Sequence, residues 1–91
     1  MNRKAMDMEY KLELALLHKR FVSIEDIERD ASFVLNKEVK FEESTNEDDL
    51  NLDYELLCGL ELKDNYYYIN IYYLKTRCDE MYITEISVDN E

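Results

Sequence analysis

Proline and tryptophan are missing from the 91 residues, and glycine occurs once, at Gly59. A Gly-rich phosphate-binding loop is thereby excluded, and so is a Gly-x-Ser-x-Gly nucleophile elbow. The two cysteines, Cys58 and Cys78, are too few for a disulfide scaffold. His18 is the sole histidine, and neither a Cys-x-x-Cys nor a His-x-x-x-His pair occurs. A zinc centre, which takes three or four placed donors, is not expected. The segment TNEDDLNLD is rich in oxygen ligands but lacks the central Gly and closing Glu of an EF-hand loop. No metal and no cofactor are expected.

Positive charge is also scarce. Eleven Lys and Arg stand against 22 Asp and Glu, for a formal net charge of -11. Direct contact with nucleic acid or an anionic membrane depends on clustered positive charge and is disfavoured. No apolar run approaches the ~18–20 residues of a membrane helix. The opening MNRKAMDMEYKLEL has no apolar core of the signal-peptide kind. These features lead us to expect a cytoplasmic protein with two thiols. Catalysis is not expected either. Carboxylate pairs are plentiful, but among 22 acidic residues they arise by chance, and acid–base chemistry also needs a concave pocket.

The chain does have enough apolar residues to fold, at 46 % of the total. Its length gives one domain, 1–91, with 1–7 expected as a flexible tail. Met8, Tyr10, Leu12, Leu14 and Leu16 alternate with mostly polar residues. As a helix this segment would be apolar on two sides, so the alternation predicts a strand over 8–17. The absence of a β-branched residue before Val22 argues the other way.

Ser23, three residues before Asp26, predicts a helix start. Val22 and Ile27 occupy the two hydrophobic-staple positions, and Glu25 and Asp26 complement the helix dipole. Ile24, Ile27, Ala31, Val34 and Leu35 form one apolar stripe. Asn36 is a fitting stop, so the helix is expected over 24–35. Glu38–Phe41 reads as either a short strand or an extended connection, and 42–49 (EESTNEDD) as an acidic solvated loop.

From Leu50 the pattern has a period of two. Leu50, Leu52, Tyr54, Leu56, Cys58, Leu60 and Leu62 share one parity, and Gly59 marks a bulge or a close approach on the other. Polar turns at 63–65 and 76–80 separate two further strands, Tyr66–Leu74 and Met81–Val88. The expected fold is a two-layer α+β domain, ordered β-α-(β)-β-β-β. An antiparallel sheet of four to five strands ends in a three-stranded meander and is covered on one face by one main helix.

Two surface features bear on function. Tyr66, Tyr67, Tyr68, Tyr72 and Tyr73 crowd around Ile69-Asn70-Ile71. On a strand, Tyr67, Ile69, Ile71 and Tyr73 share one face, while Tyr66, Tyr68 and Tyr72 share the other. One helix layer covers one face, so the second tyrosine row is either a solvated surface, or one covered by a partner, a second copy or the N-terminal segment; Tyr66, Tyr68 and Tyr72 are the candidate partner-binding residues. The stretch 42–55 carries seven acidic residues and no basic one. Its Glu42, Glu43, Glu47, Asp48, Asp49 and Asp53 are the candidate electrostatic surface. Such a field steers association with a basic cleft, the kind that nucleic-acid-handling enzymes present.

In size, acidity and lack of cofactor motifs the chain resembles two groups of small proteins. One is the phage anti-defence inhibitors, anti-CRISPR proteins among them; the other is the immunity proteins that neutralise nuclease toxins. The resemblance covers size and charge over the whole chain and transfers no functional residue. It implies a non-enzymatic inhibitor of a basic nuclease or other nucleic-acid-binding enzyme. A homodimer formed through the tyrosine face, in an assembly role, is the expectation from another class.

Overall fold

The computed structural model of the chain describes residues 3–48, 51–63 and 65–90, and of 45–48 and 51–53 the backbone alone. The order is α1 (Arg3–Leu16), β1 (Arg20–Phe21), α2 (Ile24–Leu35), β2 (Glu42–Asp48), β3 (Asn51–Leu62), β4 (Asn65–Lys75) and β5 (Met81–Asn90). The strands form one antiparallel sheet in the order β1-β5-β4-β3-β2. The apolar sides of both helices join one face of this sheet in a single core, giving the expected two-layer α+β architecture.

Helix α2 follows its sequence signals. Ser23 adopts an extended conformation, and its hydroxyl accepts from the Asp26 N–H at 3.3 Å. Asn36 turns left-handed at φ 54°, and the Lys37 N–H reaches back to the Ser32 carbonyl at 3.2 Å. Ile27 and Ala31 are fully buried, with Ile24, Val34 and Leu35 packed beside them. The staple is not formed, because Val22 is 75 % exposed. Residues 38–41 are an extended connection, since their amides bond to side chains of α2. The Val39 N–H donates to Ser32 Oγ at 3.0 Å and the Phe41 N–H to Glu28 Oε2 at 2.7 Å.

Two expectations are overturned. Residues 8–17 are not a strand: Met8 to Leu16 belong to α1, and residues 3–7, expected as a flexible tail, are the start of the same helix. Ala5, Met8, Leu12 and Leu16 form its buried stripe. The second apolar row, Met6, Tyr10 and Leu14, is left facing outward. Good helix formers without β-branching decide the backbone here, and a few exposed apolar side chains are tolerated. Helix α1 also serves the sheet, since Glu9 Oε1 accepts from the Val88 N–H at 3.0 Å. The layer over the sheet therefore holds two helices rather than one.

The acidic loop expected at 42–49 is, over 42–48, strand β2, paired from Glu42↔Leu57 to Asp48↔Asn51. An edge strand needs no apolar residue when pairing on one side holds its backbone, and acidic side chains on an edge discourage a further strand from adding. The turn after β3 places Lys63 at φ 56°, between the paired Leu62 and Asn65. The turn after β4 is closed by Thr76, whose N–H donates to the Glu80 carbonyl and whose hydroxyl accepts from the Glu80 N–H.

The helical assignment of α1 separates two neighbours that a strand would treat alike. Leu12 is fully buried and Leu14 is 63 % exposed. Leu12→Ala should lower unfolding free energy by about 2–5 kcal/mol, and Leu14→Ala should change it by less than about 0.5 kcal/mol. Urea titrations of both variants read the difference.

Candidate protein-binding face

Strand β4 sits between β3 and β5 and alternates between the two sheet faces. Tyr67, Ile69, Ile71 and Tyr73 are buried against the helices. Tyr66 and Tyr68 lie on the opposite face at 39 % and 44 % exposure, with Asn70 and Tyr72 half-buried beside them. The division of tyrosines between faces agrees with the alternation in the sequence.

Register then decides which residues stand next to them. Glu55 pairs with Tyr72, which pairs with Glu85. Gly59 pairs with Tyr68, which pairs with Asp89. Glu61 pairs with Tyr66, and Glu42 heads the row that runs through Leu57 and Asn70 to Ser87. Directly paired side chains lie about 4.5–5.5 Å apart at Cβ. The exposed tyrosine row is thus bordered on both sides by carboxylates. The far corner, Leu74 opposite Tyr82 opposite Arg20, carries the cation Arg20.

Tyr72 registers this field. A hydrogen bond with Asn70 pulls its phenol down. A hydrogen bond with Glu55, partial burial and the charges of Glu55 and Glu85 outweigh it and raise the pKa above the ordinary value near 10.

Gly59 has a local reason. A Cβ there would stand 2.9 Å from Tyr66 Cζ and nearer still to the phenolic oxygen. The close approach expected at this residue is therefore the Tyr66 ring crossing the strand, and pairing runs unbroken through Gly59. The irregularity in the sheet falls instead between Tyr72 and Tyr73, opposite β5. Tyr66 meets Tyr68 edge-on, with ring centroids 5.1 Å apart.

The predicted acidic surface is divided by the fold. Glu42 lies on the tyrosine face. Glu43 does not: it pairs with Leu56, whose side chain is core, and its Oε1 accepts from the Tyr73 hydroxyl at 2.7 Å. Glu43 is exposed and has a hydrogen-bond partner within the fold. Glu47, Asp48 and Asp53 lie on paired backbone of β2 and β3, and Asp49 lies outside the described residues. Sequence reasoning missed Glu55, Glu61, Glu85 and Asp89 as neighbours of the tyrosines, because strand pairing rather than proximity in the chain unites them.

Cys58 is buried, and burial pushes its thiol up, against the lowering effect of the Lys40 backbone and with the Glu28 charge. Cys78 is exposed in the 76–80 turn. Among the described residues, no three His, Cys, Asp or Glu side chains gather as metal ligands, and no helix is long and apolar enough to cross a membrane. A second apolar patch lies on the helix layer, where Leu14 and Phe33 flank Ala15 and Val34. Its neighbours carry both signs, with Lys11 paired to Asp7 at 3.1 Å, so it lacks the charge bias of the tyrosine face.

The chain matches no protein-family model, no curated protein and no solved structure.

Tyr73 supplies a pH test of the fold beneath this face. Burial first, then the hydrogen bond to Glu43 and the charge of Glu43, raise its pKa well above 10. A phenol with a raised folded-state pKa contributes stability below the unfolded value, and that contribution is lost as pH climbs above about 10. Tyr73→Phe should cost about 0.5–1.5 kcal/mol at pH 7. It should also flatten the loss of stability between pH 9 and 11, as read from urea midpoints.

Proposed function

We propose that this protein is a stoichiometric, non-enzymatic inhibitor that binds a basic, nucleic-acid-handling protein through the outer face of its sheet. One observation carries the reading: the exposed tyrosines and a set of carboxylates share a single face that neither helix covers. Tyrosine supplies large contact area with few rotamers to freeze, and is enriched where binding energy concentrates. Carboxylates around it repel nucleic acid and attract the cationic groups that would otherwise hold phosphates. A net charge of -11 extends the attraction beyond contact range. A phage anti-defence factor acting on a nuclease or guide complex uses this chemistry, as does an immunity protein acting on a nuclease toxin. The identity of the target separates them.

The same carboxylates weigh against pairing of two copies face to face, since that arrangement opposes like charges. The homo-oligomeric assembly reading is therefore secondary.

The test is capture of a partner from the native host at low and high salt, followed by an assay of that partner's nucleic-acid binding. The expected result is one basic protein, released at high salt, whose nucleic-acid binding is blocked at a one-to-one ratio. Glu55→Lys with Glu85→Lys should weaken the complex about tenfold or more at low salt and flatten its salt dependence. A clean dimer that captures nothing and dissociates on Tyr68→Lys with Tyr72→Lys would move the function to self-assembly.

A further inference from the structure

The outer sheet face is not flat. Beside Gly59, over which the Tyr66 ring lies, it holds an open cleft of about 410 Å³ lined by Leu57, Tyr66, Tyr68, Asn70, Glu42 and Lys40. That volume lies within the ~300–1,000 Å³ of clefts that take a small ligand or a single large side chain. The Tyr66 and Tyr68 rings meet edge-on, so they present aromatic surface in two directions.

We propose that this cleft is a specific receptor for a guanidinium group, the side chain of an arginine on the partner. The assignment rests on the reading of the face as a docking surface for a basic protein and names the group that anchors it. Three features of the cleft select that occupant. Tyrosine faces attract a cation, and a planar one can stack on them as well. Glu42 offers a carboxylate, which a guanidinium meets in bidentate fashion, and the Asn70 carbonyl oxygen offers another acceptor. Glu61 beside Tyr66 and Asp89 beside Tyr68 supply further negative charge across the strand pairs. An anionic or purely apolar occupant would meet these carboxylates unfavourably.

Among the described residues that line the cleft, Lys40 is the one cation, and its Nζ stands 3.9 Å from Glu38. It competes with an incoming guanidinium, so the site also predicts the effect of removing it: Lys40→Gln should tighten binding.

The test uses N-acetyl-arginine amide as the probe, with N-acetyl-lysine amide as control, in a titration followed by amide resonances of the full chain. The expected result is a saturable shift centred on Leu57, Gly59, Tyr68 and Asn70, tighter for arginine than for lysine. Tyr66→Ala and Tyr68→Ala should each weaken it about three- to thirty-fold. Glu42→Gln should weaken it, and Lys40→Gln should strengthen it about two- to threefold. Gly59→Ala, which forces the Tyr66 ring aside, should weaken binding about as much as Tyr66→Ala while the far-ultraviolet spectrum stays unchanged. Absence of shifts overturns the proposal, as does an equal, non-saturating response to both probes spread over Glu55 and Glu85. Capture of a basic partner whose affinity ignores Tyr66→Ala and Glu42→Gln would remove the guanidinium site and leave the docking face standing. Failure to capture a basic partner, with the arginine probe still bound at the cleft, would do the reverse.

Discussion

Strand β4 is apolar or amphipathic on both of its faces, and the chain has helices enough to cover one. Tyr67, Ile69, Ile71 and Tyr73 take the covered side, where they meet Leu56, Cys58 and Leu60 of β3 and Ile83, Ile86 and Val88 of β5. Each fully buried side chain of this size contributes about 1.5–3 kcal/mol relative to exposure. Helices α1 and α2 therefore settle where that row lies. The remaining row, Tyr66, Tyr68 and Tyr72, is the consequence: a small two-layer domain has no third layer to lay over it.

The polar groups around the core follow the same division. On the covered side they are tied into the fold. Glu43 receives the Tyr73 hydroxyl, Glu28 the Phe41 amide and Glu9 the Val88 amide. Each carboxylate satisfies a donor at the margin of the core, and so contributes to the fold as well as to net charge. On the open side, Glu55 and Glu85 oppose Tyr72 from both neighbouring strands. Glu55 is also hydrogen-bonded to Tyr72, so carboxylates engage tyrosines on both faces of β4.

Much of the fold was legible in the sequence because its signals were unopposed. Helix α2 has a cap, a stop and a single apolar stripe, all pointing to residues 24–35. Strands β3 to β5 alternate cleanly. Helix α1 misled because Met8, Leu12 and Leu16 interleave with Tyr10 and Leu14, so a helix with two apolar rows has the same pattern as a strand with one. The assumption that both rows need burial was the error, since Tyr10 and Leu14 stay exposed. Strand β2 was illegible because its signal is the presence of a neighbour: EESTNED pairs with β3 without contributing an apolar row. The tyrosine face could be read from alternation alone. Its carboxylate border could not, because register across β3, β4 and β5 is set by turns and a bulge that the sequence does not spell out.

On the function proposed above, the open tyrosine face, and not the helix layer, receives a basic partner. The most direct measurement is a titration of the tyrosine and phenylalanine ring resonances with the captured partner at low salt. Tyr66, Tyr68 and Tyr72 should shift and broaden, while Tyr10 of α1 and Phe33 of α2 keep their free positions. Movement of Tyr10 and Phe33, with the β4 tyrosines unchanged, would contradict that placement and transfer the binding surface to the helices.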